Sequence, residues 1–368
     1  MSVETKTVAV GLSGGVDSLV AAWLLKRDGW RVIGLTMSIW DGSVAIPDAG
    51  RSGCFGPGAA RDLEAAKAAA ERLGIEHRVV PLAEEFQRMV LDYFRGEYLA
   101  GRTPNPCVRC NQRMKFGLLP EAARAQGAAF DRFATGHYVR ADRDVATGRW
   151  RLLRGRDRVK DQSYFLSRLK AEQLSGLLFP LGARTKAEVK AIAREQGWDG
   201  VAEQEESQDF IECRDYSVLF REGDAKPGDF VTRDGTVVGR HRGILRYTVG
   251  QRKGLDLGGG GIPWYVVEID AAGNRVVVGT REELFSRGLM AGDLNWLGLG
   301  RLPPGDLRCE VQIRQRHRAA AATVTAEADG RLRVRFDDPQ LSVTPGQIAV
   351  LYDGEAVLAS GVIESAEA

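Results

Sequence analysis

The sequence has little of the residues and patterns that identify several specialised classes of protein. It contains five cysteines and four histidines in 368 residues, and such a sparse, odd set of thiols does not suit a disulfide scaffold. No apolar run approaches the roughly 20 residues that cross a bilayer, so we predict no membrane partner. The formal net charge is only +2, so overall charge does not indicate a nucleic-acid-binding protein.

The N-terminus also lacks the basic stretch and apolar core that mark a secretory signal. Its residues, MSVETKTVAVGLSGG, lead almost directly into a β-like segment. We therefore expect a cytoplasmic protein whose thiols are reduced, reactive or bound to metal. The chain is 44% apolar and 27% charged, and its length indicates two or three domains.

The pattern of apolar residues changes along the chain. The N-terminal part alternates β-like runs with helical patterns, whereas residues 228–368 are rich in Gly, Val and Arg and alternate as strands do. Strand–helix alternation predicts a parallel sheet with helices on both faces. We therefore predict an α/β domain with a doubly wound parallel sheet over residues 1–205. A small β-rich central domain over 206–285 and a C-terminal β-barrel over 286–368 are expected to follow.

The stretch GLSGGVDS at residues 11–18 predicts a phosphate-binding loop between a strand and a helix. Gly14 and Gly15 permit positive φ angles and a close backbone approach, and the helix N-terminus behind them favours an anion. Asp17 could hold a Mg²⁺ ion that bridges phosphates. The stretch contains neither a Walker A motif nor a dinucleotide-binding fingerprint. A loop without lysine suits pyrophosphate as a leaving group, so we predict that ATP adenylates a substrate oxygen.

The stretch TPNPCVRCNQRMKF at residues 103–116 contains the pair Cys107 and Cys110. Pairs with this spacing occur in zinc sites, redox switches, iron–sulfur sites and sulfur-transfer sites. Zinc is disfavoured because no second ligand pair has suitable spacing. A thioredoxin-like role is disfavoured because the pair does not follow the first strand of such a unit. The residues NQRMKFGLL predict a helix after the pair, and we expect its N-terminus to lower the pKa of a thiol there.

Six motifs together carry a family resemblance. SGGVDS after an N-terminal strand is similar to the loop of the pyrophosphate-loop ATPases. The others are TPNPCVRCNQRMKF, ATGHY (134–138), KDQSYFL (160–166), YTVGQRKGL (247–255) and TPGQIAVLY (344–352). In this order, over nearly the whole chain, they resemble the tRNA-specific 2-thiouridylases of the MnmA type. The resemblance implies an adenine nucleotide α-hydrolase-like first domain and ATP-dependent 2-thiolation of the wobble uridine (position 34) of tRNA.

The resemblance also implies roles for individual residues. With Mg²⁺, ATP would bind Gly11, Leu12, Ser13, Gly14, Gly15, Val16, Asp17, Ser18, Met37 and Gly136. The tRNA would contact Asn105, Pro106, Cys107, Lys160, Asp161, Gln162, Arg314, Gln315 and Gln347. Cys110 corresponds to the nucleophilic cysteine of the family, and His137 would be needed for activity. The implied partners are the anticodon loop of tRNA and a sulfur donor, such as a cysteine desulfurase or a sulfur-relay protein.

Two positions depart from the family's pattern. Many relatives have Asp where this chain has Cys107, and they place a second catalytic cysteine four residues after a serine. Here the fourth residue after Ser207 is Ile211, and Cys213 follows two residues later. Cys213 is therefore either the persulfide cysteine on a shifted loop or an unrelated thiol. The added thiol also raises the alternative of a 4Fe–4S cluster held by Cys107, Cys110 and either Cys213 or Cys54.

Two basic regions are candidates to bind tRNA phosphates, with ordinary solvent-exposed surface as the alternative. Residues 140–160 contain eight Lys or Arg against three Asp, and RQRHR occupies residues 314–318. Two other functions stay open at this point. One is another adenylating enzyme of the same superfamily, either amide-forming or an argininosuccinate-type synthetase. The other is a tRNA-binding protein whose loop only binds nucleotide.

Overall fold

The computed structural model describes residues 6–47, 53–204, 209–213, 215–258 and 263–367. The predicted boundary between residues 205 and 206, and Ser207 of the cysteine motif, lie outside these residues. The chain forms two compact units. Unit 1 comprises Met1–Val90, Cys107–Arg214 and Glu355–Val357, and unit 2 comprises Leu91–Pro106, Asp215–Gly354 and Leu358–Ala368.

Strands and helices alternate in the first part of the chain. They are β1 (Thr7–Gly11), α1 (Val16–Arg27), β2 (Arg31–Ser38), β3 (Gly53–Phe55), α2 (Ala59–Leu73), β4 (Glu76–Pro81), α3 (Ala83–Phe86), a π-helical turn (Gln87–Leu91) and α4 (Asp92–Leu99). Next come α5 (Pro106–Cys110), a π-helix (Asn111–Leu118), α6 (Leu119–Ala125), β5 (Arg132–Ala134), β6 (Val139–Arg143), β7 (Trp150–Arg154), α7 (Ser163–Leu166), α8 (Ala171–Leu174), β8 (Leu177–Leu178), α9 (Lys186–Glu195), α10 (Asp199–Ala202) and β9 (Asp209–Ile211).

Strands dominate the rest of the chain. After a 3₁₀ turn (Tyr216–Leu219) come β10 (Gly228–Val231), β11 (Val237–His241), a second 3₁₀ turn (Ile244–Arg246), β12 (Tyr265–Asp270) and β13 (Arg275–Gly279). A third 3₁₀ turn (Glu282–Leu284) leads to β14 (Phe285–Trp296), β15 (Leu307–Gln312), β16 (Ala320–Ala326), β17 (Leu332–Leu341), β18 (Ile348–Asp353) and β19 (Ala356–Glu367). Within the described residues, no helix combines the length and the apolar composition that a bilayer crossing requires.

A five-stranded parallel sheet forms the core of unit 1. Its strand order is β4-β2-β1-β5-β8, and β1 pairs with β2 from Thr7 to Gly11. Residues 8–10 of β1 are completely buried, as a strand covered on both faces requires. Helices α1, α2 and α9 share one apolar cluster with β1 through residues such as Leu19, Ala66 and Val189. The predicted α/β fold with a doubly wound parallel sheet is confirmed.

The sheet order determines where a ligand can bind in unit 1. In the sheet, β1 lies between β2 and β5. Its carboxyl end therefore lies at the sheet edge where parallel sheets usually bind ligands. The turn from Gly11 to helix α1 lies at this edge. A separate two-stranded sheet pairs β3 with β9, matching Gly53 to Asp209 and Phe55 to Ile211. This pairing brings Cys54 alongside the segment that leads to Cys213.

Unit 2 contains two β structures. A four-stranded sheet has the order β11-β10-β13-β12, and a six-stranded barrel has the order β14-β17-β16-β15-β18-β19 and is closed by pairing of β14 with β19. The barrel core is apolar, with Leu289, Val334 and Ile363 completely buried. The predicted β-rich centre and C-terminal barrel are confirmed. Residues 91–106, which lie within the predicted first domain, group with unit 2, and the three predicted domain ranges stay a prediction.

Candidate functional site

The loop between β1 and α1 is shaped by glycine and by its own hydroxyl groups. Gly14 has a φ of +80°, and a β-carbon there would lie 2.6 Å from Cβ of Ala65. The hydroxyl of Ser18 donates to the carbonyl of Gly15 over 3.0 Å and accepts from the N–H of Ser13 over 3.2 Å. Leu12 N–H donates to the carbonyl of Leu35 over 2.8 Å, which ties the loop to β2. The positive φ predicted for the two glycines is present at Gly14 only, because Gly15 has a φ of −80° and is extended.

Gly136 approaches the start of helix α1 more closely than any larger residue could. A β-carbon at this position would lie 2.7 Å from the carbonyl carbon of Asp17 and 2.9 Å from Ser18 N. The loop after β5 therefore lies beside the phosphate loop, as the sequence predicted for a nucleotide-binding glycine. Met37 is half-buried near the end of β2 and pairs with Val80 of β4. The predicted ATP residues thus come from β1, its loop, β2 and the end of β5.

Asp17 has two partners that sequence reasoning missed. Lys186 Nζ lies 2.7 Å from Oδ1 and 2.8 Å from Oδ2 of Asp17, and the Tyr138 hydroxyl donates to Oδ1 over 2.7 Å. Lys186 comes from helix α9, far along the chain, and no motif links it to the loop. The Asp17 carboxylate supplies oxygen atoms of the kind that suits Mg²⁺, which binds proteins through one or two carboxylates plus phosphates.

The two cysteines of the pair do not have lowered pKa values. Cys110 is the last residue of α5 and leads directly into the π-helix, so no free helix N-terminus faces it. Burial raises the pKa of Cys110 to about 11, although the positive charge of Lys115 opposes the shift. Burial raises the pKa of Cys107 further still. The expectation of an activated thiol was wrong because desolvation outweighs the charges around it.

Cys54 shares the electrostatic environment of this pair. A negative charge on Cys54 would raise the pKa of Cys107 and of Cys110, and Lys115 lowers the pKa of all three thiols. Cys54 is the solvent-exposed member, yet the protein around its sulfur still desolvates the thiolate and raises its pKa. Cys54 is thus a candidate for a third functional cysteine whose charge acts on the pair.

Cys213, the other candidate for a third functional cysteine, is buried. It is 4% exposed and follows Glu212, whose two carboxylate oxygens accept the Gly58 N–H over 3.0 Å and 2.9 Å. Among the described residues, no group of three or more His, Cys, Asp or Glu is placed to hold a metal ion.

His137 is held in its neutral form. Its Nδ1 and the hydroxyl of Thr135 share a hydrogen bond of 2.8 Å, and its ring centroid lies 5.5 Å from that of Phe116. Burial, assisted by the charge of Lys115, keeps the pKa of His137 well below its usual value. The same lysine therefore acts on His137 and on the thiols. Sequence reasoning missed Lys115, although it lies within the quoted cysteine motif.

The predicted tRNA residues of unit 1 are engaged within the protein. Asp161 accepts the N–H of Gly155 over 2.8 Å and the hydroxyl of Ser163 over 2.8 Å. The side-chain oxygen of Gln162 accepts the N–H of Tyr138 over 2.8 Å. The backbone N–H of Lys160 donates to the Asp157 carbonyl over 3.1 Å. These contacts give residues 160–162 a structural role within unit 1.

A second set of predicted tRNA residues lies in unit 2. The Gln347 amide donates to the carbonyls of Thr103 and Pro104 over 2.9 Å and 3.2 Å. These contacts anchor the residues that precede Asn105 and Pro106. Arg314 donates to the carbonyls of Leu341 and Ser342 over 2.9 Å and 3.3 Å, and the backbone carbonyl of Gln315 accepts from the amide of Gln312 over 2.9 Å.

The basic region at residues 140–160 is largely paired with acids. Arg151 contacts Asp142 over 2.9 Å and Asp144 over 2.8 Å. Arg140 and Arg158 both pair with Glu355, and Arg156 lies 3.0 Å from Glu188. Exposed pairs of this kind add little stability, but they do reduce the positive potential that a phosphate would meet. The count of basic residues in this region therefore overstates its attraction for RNA.

Comparison with known proteins gives a consistent result along the whole chain. The family model described as "tRNA methyl transferase HUP domain" matches residues 6–213. Models described as "tRNA methyl transferase PRC-barrel domain" and "Aminomethyltransferase beta-barrel domain" match residues 217–280 and 286–363.

Curated relatives match over almost their full lengths. The chain is 44% identical to the tRNA-specific 2-thiouridylase MnmA of Endomicrobium trichonymphae over 366 residues, which cover 99% of this chain and 100% of the relative. It is 47% identical to the proteins of the same name from Geotalea uraniireducens and Geobacter metallireducens. Those matches cover 99% and 98% of this chain and 96% and 97% of the relatives.

Proposed function

This chain belongs to the family of tRNA-specific 2-thiouridylases, and we propose that it replaces the C2 oxygen of the wobble uridine by sulfur. The protein is an enzyme, a tRNA sulfurtransferase that uses ATP. The full-length match disfavours the alternative synthetases and a tRNA-binding protein without catalysis. The roles of the individual residues that follow are our proposal.

The phosphate loop and Gly136 perform the first step. The loop holds ATP so that the C2 oxygen of uridine attacks the α-phosphorus and pyrophosphate departs. Mg²⁺, when bound at Asp17, would neutralise charge on the departing pyrophosphate. The glycine geometry at Gly14 and the close approach of Gly136 leave room for backbone N–H groups to reach phosphate oxygens. The hydroxyls of Ser13 and Ser18 are further donors beside them.

Cys110 and Cys213 perform the second step. The outer sulfur of a persulfide on Cys213 attacks C2, and AMP leaves. Cys110 then attacks the inner sulfur of Cys213, which releases 2-thiouridine and leaves a Cys110–Cys213 disulfide that an external thiol reduces. Because burial raises the pKa of Cys110 to about 11, its proton must leave as it attacks. The positive charge of Lys115, which lowers the pKa of Cys110, supports this loss.

The observation that carries this proposal is the presence, within unit 1, of the pyrophosphate loop and the Cys107–Cys110 pair. The test incubates purified protein with ATP, Mg²⁺, unmodified tRNA, a cysteine desulfurase and cysteine. Mass spectrometry of nucleosides should show 2-thiouridine, with release of AMP and pyrophosphate. C110S should abolish thiouridine and still release AMP, whereas C309S, on a barrel strand, should behave as wild type. A C110S enzyme that still forms 2-thiouridine would contradict the assignment.

An iron–sulfur cluster is the alternative sulfur carrier, with Cys107, Cys110 and a third cysteine as ligands. The third ligand would be Cys213 or Cys54, and the charge of Cys54 acts on both cysteines of the pair. Anaerobic purification followed by iron and sulfide assays decides between the carriers. Full thiolation by protein that contains neither iron nor sulfide would exclude the cluster.

We further propose that the three domains span residues 1–205, 206–285 and 286–368 and that the protein is cytoplasmic. The proposed tRNA contacts are Asn105, Pro106, Cys107, Lys160, Asp161, Gln162, Arg314, Gln315 and Gln347. Gln347 holds the segment before Asn105 through hydrogen bonds. These bonds support a role for Gln347 in positioning that segment against the target base. Ultraviolet crosslinking of tRNA containing 4-thiouridine in the anticodon loop, followed by peptide mapping, tests these contacts. Crosslinks confined to other peptides would contradict them.

A further inference from the structure

The pyrophosphate loop lacks a positive side chain of its own. Residues 11–18 contain one carboxylate, Asp17, and no lysine or arginine. Yet the leaving pyrophosphate gains negative charge as the bond to AMP breaks. Preorganised positive groups at such a point are usually the largest contribution to catalysis. The loop therefore needs a cation from elsewhere in the chain.

Lys186 is placed to be that cation. Its Nζ lies 2.7 Å and 2.8 Å from the two Asp17 oxygens and 5.9 Å from the centroid of the Tyr138 ring. The Lys186 side chain is 11% exposed, and that of Asp17 is 31% exposed. Lysine side chains are rarely so enclosed unless they are paired. Lys186 is thus directed at the loop and is not a freely moving surface lysine.

The surrounding structure fixes the point from which Lys186 extends. It is the first residue of α9, and Thr185 caps this helix by accepting the N–H of Glu188 over 3.2 Å. The N–H of Lys186 donates to Asp157 Oδ2 over 2.9 Å. Its backbone is therefore held on both sides, while its four-carbon side chain can still swing its ammonium group by a few ångströms. Movement from Asp17 to a phosphate beside Asp17 needs no change in the helix.

We propose that Lys186 is the cation of the pyrophosphate loop, pairing with Asp17 in the nucleotide-free enzyme and contacting the pyrophosphate of ATP once Mg²⁺ occupies the carboxylate. The inference rests on the adenylation step of the proposed function. Its physical basis is competition: Lys186 Nζ occupies the two oxygens of the carboxylate that would hold Mg²⁺, so Lys186 would turn toward the phosphates when Mg²⁺ is bound. Lys186 thereby contacts substrate and is a catalytic residue.

The test compares K186M with K190M, which removes a lysine one turn further along the same helix. Two quantities are measured: tRNA-dependent AMP release, and binding of α,β-methylene-ATP at varied Mg²⁺ concentration without tRNA. For K186M we expect turnover to fall by about 100-fold or more. We also expect the Mg²⁺ concentration for half-maximal binding to fall about threefold or more, because Asp17 no longer has a competing partner. K190M should match wild type in both.

A purely structural role for Lys186 would instead raise the Mg²⁺ concentration for half-maximal binding while turnover falls, and that result would overturn the proposal. So would turnover within threefold of wild type. If K186M melts well below wild type, the same measurements are made on K186Q. Glutamine keeps a hydrogen bond to Asp17 but lacks the positive charge. Wild-type turnover in K186Q would again overturn the proposal. If wild-type protein releases no AMP with tRNA, the proposed function fails, and the binding experiment still decides the role of Lys186.

Discussion

Replacing Gly136 by alanine tests the geometry of the nucleotide site directly. A β-carbon at this position would lie 2.7 Å from the Asp17 carbonyl carbon and 2.9 Å from both the Asp17 carbonyl oxygen and Ser18 N. Carbon atoms normally approach such neighbours to about 3.5–4.0 Å. The overlap is therefore on the order of 1 Å. It involves backbone atoms in the first turn of α1, so a change of side-chain rotamer cannot relieve it.

Overlap of this kind costs about 1–3 kcal/mol of folding free energy. In a domain of the size of unit 1 each kcal/mol lowers the melting temperature by about 2–4 °C, so we expect unit 1 of G136A to melt about 2–12 °C below wild type. The shift also moves the loop relative to the phosphates. Because misplacement by about 1 Å can cost 100-fold in reaction rate, we expect AMP release to fall by about that factor. Differential scanning fluorimetry and the AMP assay measure the two effects.

G200A is the matched control for this substitution. Gly200 lies in helix α10, and a β-carbon there would meet no described atom within 4 Å. Alanine is more favourable than glycine inside a helix by up to about 1 kcal/mol, so G200A should melt at or slightly above the wild-type temperature with unchanged activity. A G136A protein with wild-type melting temperature and activity would refute the close approach of the two loops.

Two further predictions concern the thiols and the buried carboxylate. Burial raises the pKa of Cys110 to about 11. The rate at which iodoacetamide alkylates Cys110 should therefore rise about tenfold per pH unit from pH 7 to 10, as measured by peptide mass spectrometry. A rate that stops rising below pH 9 would contradict this prediction. Glu212 is 2% exposed and accepts the Gly58 N–H, so E212A, which leaves that group without its partner, should cost about 1–3 kcal/mol. E212Q should lose less in thermal melting, and equal melting of E212A and wild type would count against the contact.

Much of the fold is predictable because its signals are local. Strand–helix alternation over the first part of the chain reports a sheet covered on both faces, and the structure has that sheet. The loop at residues 11–18 is predictable for the same reason, since its glycines, its acidic residue and the following helix are adjacent in sequence. The strand-like alternation of residues after position 228 likewise predicts the β sheet and the barrel of unit 2.

The parts that could not be predicted depend on contacts between distant residues. Lys186 meets Asp17 only because α9 packs beside α1 in the folded domain. Cys54 joins the cysteine pair electrostatically from a strand that pairs with β9. The pKa of Cys110 was predicted in the wrong direction because sequence shows a nearby helix but not the burial that dominates the shift. Burial is a property of the whole fold.

The family resemblance leads us to expect aspartate at position 107 in many relatives, and these pKa values suggest a physical consequence of having Cys107 there. An ionised carboxylate at position 107 would be a like charge close to Cys110 and would raise the pKa of that thiol further. Burial raises the pKa of Cys107 so far that its thiol stays protonated, and a neutral neighbour has no such effect. The positive charge of Lys115 then acts on Cys110 without a competing carboxylate at this position. The substitution therefore favours the Cys110 thiolate, which is the form that attacks sulfur.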